Sequence, residues 1–178
     1  MKRKWQRNWK QRLMKKLAPP LLAGMMLLSS YNTLWAAPAG GVVTAGAAAI
    51  STSGSTLTVN QTTNKAAINW QSFGIASGET VRFIQPSASS VALNRVVGGN
   101  ASAIYGTLSA NGKVFLINPN GILFSPGSQV NVGGLVASTL NLSDSDFLQG
   151  NYSFAKNAAA GSVVNQGAIR TADGGYVA

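Results

Sequence analysis

Between Leu57 and Val132 turn-forming residues cut the chain about every seven or eight positions, a cadence that leaves room for short strands and none for long helices. The apolar or alternating runs are 57–60 (LTVN), 67–70 (AINW), 80–84 (TVRFI), 91–97 (VALNRVV), 102–108 (SAIYGTL), 113–117 (KVFLI), 122–124 (ILF) and 129–132 (QVNV). Val130 and Val132 alternate with Gln129 and Asn131, so one face points inward and one to water. Residues 114–117 are apolar on both faces and require cover on both sides. Residues 37–56 are small and read as coil, and 141–160 read as a loop or short extra-helical hairpin. The stretch 162–178 again reads strand, turn, strand, Gly-Gly, strand.

Two architectures give such a pattern: a closed sandwich or barrel, and a parallel β-solenoid. Sandwich strands would be longer and joined by hairpins; here they are brief, with Asn and Gly at the corners, which suits a solenoid. At ~20–25 residues per coil the body would hold about six coils. Corner asparagines would stack as hydrogen-bonded ladders. The chain stops without a terminating element, so it is expected to be a truncated piece of a longer protein.

The formal charge is +10, yet eight of the 14 basic residues lie among the first 16 positions. Beyond them six basic and four acidic residues remain, a net of +2. That is too sparse for a phosphate-tracking groove, so no nucleic-acid partner is expected. Cysteine and histidine are absent, which removes disulfides, thiolate chemistry and the commonest general base and metal ligand.

The basic residues belong to a leader. Positions 1–16 form a positive n-region and 17–28 (LAPPLLAGMMLL) an uncharged apolar h-region, too short for the ~20 residues of a membrane-spanning helix. Cleavage is expected between Ala36 and Ala37, with the bond after Ala39 second. Residues 1–36 are then a signal peptide read by the inner-membrane Sec machinery, and 37–178 the exported body. Trp5, Trp9, Leu13 and Leu17 recur every four residues, but two turns of periodicity are read as part of a long cationic n-region.

Catalytic chemistry finds little support. Asp144 and Asp146 lack a third acid nearby and read as a solvated loop, not a metal site. Ser153 and Lys156 match a Ser-x-x-Lys nucleophile spacing without its companion motifs. The sequons opening at Asn60, Asn100, Asn141 and Asn151 are common in an Asn/Ser/Thr-rich chain. No catalytic residue, cofactor or metal is expected, and the chain is not read as an enzyme.

The segment Asn118-Pro119-Asn120-Gly121-Ile122 is a corner: Pro119 fixes φ, while Asn120 and Gly121 tolerate positive φ. By itself it reads as an ordinary tight turn. Its surroundings are 68–86 (INWQSFGIASGETVRFIQP), 92–99 (ALNRVVGG), 106–124 (GTLSANGKVFLINPNGILF) and 134–147 (GLVASTLNLSDSDF). Together these resemble the two-partner secretion domain at the N-terminus of filamentous haemagglutinins and high-molecular-weight adhesins, and the long basic signal fits that family.

The resemblance implies an all-β, right-handed parallel β-helix with an N-terminal cap and extra-helical strands. It implies a secretion domain of a large exported adhesin or haemagglutinin, read in the periplasm by an outer-membrane β-barrel transporter with POTRA domains, and nucleating β-helix folding at the cell surface. It assigns Asn118, Pro119, Asn120, Gly121 and Ile122 to the secretion motif. The second family motif, Asn-Pro-Asn-Leu, is absent, which points to the adhesin-like branch. The expected location is secreted or cell-surface, by way of the periplasm of a Gram-negative-type bacterium, with an undefined host or cell-surface receptor. The alternatives are the N-terminal part of a contact-dependent toxin stalk and, against the sparse charge, a polysaccharide-degrading β-helix enzyme.

Overall fold

The computed structural model describes residues 37–156 and 161–178. Its strands are β1 (Val42–Ala45), β2 (Ala48–Ser53), β3 (Thr56–Gln61), β4 (Lys65–Trp70), β5 (Thr80–Ile84), β6 (Val91–Val96) and β7 (Ser102–Ile104). They continue with β8 (Thr107–Ala110), β9 (Lys113–Ile117), β10 (Ile122–Phe124), β11 (Gln129–Val132), β12 (Gly134–Ser138), β13 (Val163–Asn165) and β14 (Ala168–Thr171). One short helix, α1 (Asp144–Gln149), stands between β12 and β13.

The strands stack into three sheets ordered β2-β3-β5-β8-β11-β14, β1-β4-β6-β9-β12 and β7-β10-β13. From β3 and β4 onward every pairing within these sheets is parallel. Successive neighbours come from successive passes of the chain, which makes the body a β-solenoid and not a sandwich. Three passes are complete among the described residues: β5-β6-β7, β8-β9-β10 and β11-β12-β13.

The expected six coils therefore reduce to about three, for two reasons. First, residues expected to be coil form an antiparallel cap: β1 pairs with β4, and β2 folds back on β3 through a turn at Gly54, φ 56°. Their period-two pattern is carried by small side chains and is faint in the sequence. Second, residues 139–156 leave the stack, so β11 and β14 are neighbours although Gln129 pairs with Ala168. The expected single run 102–108 is also divided, because the corner falls at Gly106. A Cβ there would stand 2.3 Å from the Ala76 carbonyl oxygen.

Inside, side chains line up coil on coil. The register Leu57–Val81–Leu108–Val130–Ile169 gives one apolar column running from β3 to β14. Its four leading members are at most 4 % exposed, and burying each contributes roughly 1.5–3 kcal/mol. One buried polar pair joins successive coils: Trp70 Nε1 donates to Asn94 Oδ1 at 3.0 Å. The corner ladder is built by glutamines more than asparagines. Gln85 Nε2 donates to Gln61 Oε1 at 3.2 Å, and Asn111 Oδ1 accepts from the Gln85 backbone N–H at 2.7 Å.

The double-sided burial expected for 114–117 is present. Val114 and Leu116 face the main core, while Phe115 and Ile117 face outward into a second apolar cluster with Ala67, Leu93, Val136, Leu142 and Phe147. The excursion supplies Leu142 and Phe147. It is a strap laid over the outside of the second sheet.

Candidate functional site

The expected motif residues come together at the corner between β9 and β10. The Asn118 carbonyl accepts from the Gly121 N–H at 3.0 Å, closing a four-residue turn with Pro119 and Asn120 at its centre. Positive φ occurs only at Gly121 (113°): among the described residues no other residue type adopts it, so Asn120 does not use the freedom its side chain allows.

Asn118 itself is fully buried. Its Nδ2 donates to Ser102 Oγ at 2.9 Å and to the Asn100 carbonyl at 3.0 Å, one coil earlier. Its Oδ1 accepts from the Asn120 backbone N–H at 2.9 Å. Asn120 is exposed, and its Nδ2 donates to the Gly98 carbonyl at 2.9 Å. Pro119 is half-buried, and Ile122 is buried in the main core. The turn thus bolts the 98–102 corner to the next coil.

Its other side is covered by the returning strap. Gly161 N–H donates to the Pro119 carbonyl at 3.0 Å, and the Ile122 N–H donates to the Ser162 carbonyl at 2.9 Å. Of the motif side chains Asn120 is exposed and Pro119 half-buried.

The strap is fixed by two cations of the second sheet. Arg95 bonds Asn69 Oδ1 at 2.8 Å, the Leu142 carbonyl, and Asp144 Oδ1 at 2.7 Å. Lys65 Nζ donates to the carbonyls of Phe147 and Leu148 at 2.9 and 2.8 Å; both lie at the C-terminal end of α1, where cations are favoured. Ser143 caps the other end, its Oγ accepting from the Asp146 N–H. The expected solvated loop at Asp144 and Asp146 is therefore the first turn of a helix. Ser-Asp-Ser-Asp is a capping signature, and Arg95 lies 49 residues away from its Asp144 partner, so sequence spacing could not reveal the pair.

Partial burial pushes the Asp144 carboxyl up, but hydrogen bonds from Arg95 and Thr44 and the Arg95 charge outweigh it, leaving the group below the usual carboxylate range. Burial raises Tyr152, and burial together with the Tyr152 charge raises Tyr176. No group of three or more metal-binding side chains occurs among the described residues.

The leader and the Ala36 side of the expected cleavage bond lie outside the described residues. Ala37 packs against the main core. Ala39 bridges to Ser72, donating to the Ser72 carbonyl at 3.0 Å and accepting from the Gln71 N–H at 2.9 Å.

Comparison with known proteins places this geometry. The family described as the TPS secretion domain matches residues 35–178. Two relatives from Haemophilus influenzae, each named heme/hemopexin-binding protein, are 43 % identical to the chain. One aligns over 144 residues, 79 % of this chain and 16 % of the relative, and the other over 111 residues, 62 % and 12 %. The crystal structure of the HMW1 secretion domain from Haemophilus influenzae superposes with a TM-score of 0.71 at 34 % identity, covering 74 % of this chain and 36 % of that one. The chain spans less than a fifth of the length of those two relatives.

Proposed function

The chain belongs to the TPS secretion domain family, and from that we propose that residues 37–178 are the secretion module of a large exoprotein. A family of secretion domains is not an enzyme family. In this reading residues 1–36 are a signal peptide for Sec export, and an outer-membrane barrel with POTRA domains reads the body in the periplasm and passes the exoprotein to the outside. The chain then winds as a right-handed β-helix, the handedness nearly all parallel crossovers adopt, with the cap end as its template. The observation that carries the reading is the likeness to the HMW1 secretion domain in fold and sequence over three quarters of the chain.

Cleavage between Ala36 and Ala37 is supported by packing. Cutting after Ala39 would remove Ala37 from the core wall and strip the carbonyl that the Gln71 N–H uses. For the motif we propose an architectural part. Asn118 is buried and joins two coils, so its contribution to secretion runs through the folded corner, while the exposed Asn120 and the half-buried Pro119 are the side chains offered to a partner.

For the exoprotein as a whole, adhesion is the first reading. A second, capture of heme or hemopexin, is favoured by the two relatives carrying that name. The chain spans less than a fifth of those relatives, and in this reading the capture is sited beyond this module. The test of the module is to fuse residues 1–178 to a cysteine-free reporter. Release of the reporter only in cells carrying the cognate transporter supports the reading; a reporter kept in the periplasm by those cells refutes it.

A further inference from the structure

The outer faces of the first two sheets are used differently. On the second sheet the strap covers the surface, and the cations there, Lys65 and Arg95, are spent on holding it. On the first sheet the register Thr58–Arg82–Ser109–Asn131–Arg170 forms an outward polar column, the counterpart of the apolar column inside. Each of its members stays at least partly exposed. The six strands of this sheet carry no acidic residue, so its face is purely cationic.

The face is not flat. An open groove of about 370 Å³ is lined by Arg82, Ile84, Ser109, Asn111 and Asn131. The short Ser109 stands between the longer Arg82 and Asn131 of the neighbouring coils, each a strand spacing of about 4.8 Å away. Arg82 is exposed, and its guanidinium has no hydrogen bond or ion pair with any described residue. Ile84, 48 % exposed, gives the groove an apolar wall. Asn111 is a fixed wall, its amide spent on the Gln85 backbone N–H and carbonyl. The side chains of Ser109 and Asn131 make no hydrogen bond to a described residue.

We propose that this groove binds one acidic sugar unit of a polysaccharide. Its carboxylate lies on Arg82, one face of its ring on Ile84, and its hydroxyls on Ser109 and Asn131. A guanidinium fork matches a planar, singly charged carboxylate, and Ser and Asn both donate and accept, as a polyol requires. A peptide does not fit, because β5, β8 and β11 are each paired on both sides and leave no ladder groups for its backbone. Nucleic acid needs a run of cations. The next one in the column, Arg170, stands three strands or roughly 14 Å away and donates to Gln129 Oε1. A phosphate group would meet one cation, an apolar wall and no free backbone N–H.

The test follows the amide resonances of the whole exported chain while trigalacturonate is added. Saturable shifts are expected in β5, β8 and β11, with a dissociation constant on the order of millimolar for so open a site. The methyl ester of the same trisaccharide keeps the rings and hydroxyls but not the charge, and is expected to bind roughly tenfold more weakly. Arg82→Gln is expected to lose the same factor, with its spectrum away from the groove unchanged because Arg82 holds nothing in the fold. Ile84→Ser, at the apolar wall, is also expected to weaken binding. Arg170→Gln removes the same charge outside the groove and is expected to bind as the wild type does. Equal binding of acid and ester, undiminished binding by Arg82→Gln, or an equal loss in Arg170→Gln overturns the site. So do shifts confined to other strands. The same shifts produced by inorganic phosphate at equal concentration overturn the saccharide assignment.

Discussion

Gly161 sits so close to Gly121 that a Cβ on Gly161 would stand 2.3 Å from the Gly121 nitrogen. The strap can land on the motif corner only because Gly161 lacks a side chain. Gly161→Ala must lift the return off the corner and break the bonds to Pro119 and Ile122. A loss of about 2–4 kcal/mol is expected in urea unfolding. Gly127→Ala is the contrast: φ is +85°, nothing lies within 4 Å of the added carbon, and about 1–2 kcal/mol of left-handed strain is the whole cost.

Asn118→Ala leaves Ser102, the Asn100 carbonyl and the Asn120 N–H without their shared partner in a buried place. The expected loss is about 2–3 kcal/mol. Asn120→Ala removes an exposed bond to Gly98 and should cost well under about 1 kcal/mol. If the motif acts through the fold, secretion of the two variants follows that order, and denaturation midpoints check the stabilities.

Strap docking should weaken in acid. The folded-state pKa of Asp144 is depressed, so its stabilising contribution is complete above the ordinary aspartate value near 3.8 and is lost as pH falls through the depressed folded value. The hydrogen-exchange protection factors of α1 should therefore be flat through neutral pH and fall only in strong acid. In Asp144→Asn that acid step should vanish.

The exported body should begin at Ala37, which intact-mass measurement of the secreted protein reads directly. A start at Gly40 would mean the Ala39–Ser72 bridge is dispensable.

The strands at 80–84, 113–117, 122–124 and 129–132 coincide with their sequence runs because each is bounded by residues that can only turn. The cap was illegible for the opposite reason: Ala and Gly dilute the alternation of Val43 and Ile50, and only pairing with β3 and β4 makes strands of them. The motif corner was legible as a turn, but not its burial, which depends on Ser102 and on a strap returning 40 residues later. Arg95 and Lys65 gave no local signal at all, since their partners are 49 and 82 residues away.

The most direct measurement is the partition of the tagged chain between periplasm and medium, in cells with and without the cognate outer-membrane transporter. The account predicts mature chain in the medium when the transporter is present and folded, protease-resistant chain in the periplasm when it is absent. Folded chain retained in the periplasm under both conditions would contradict it.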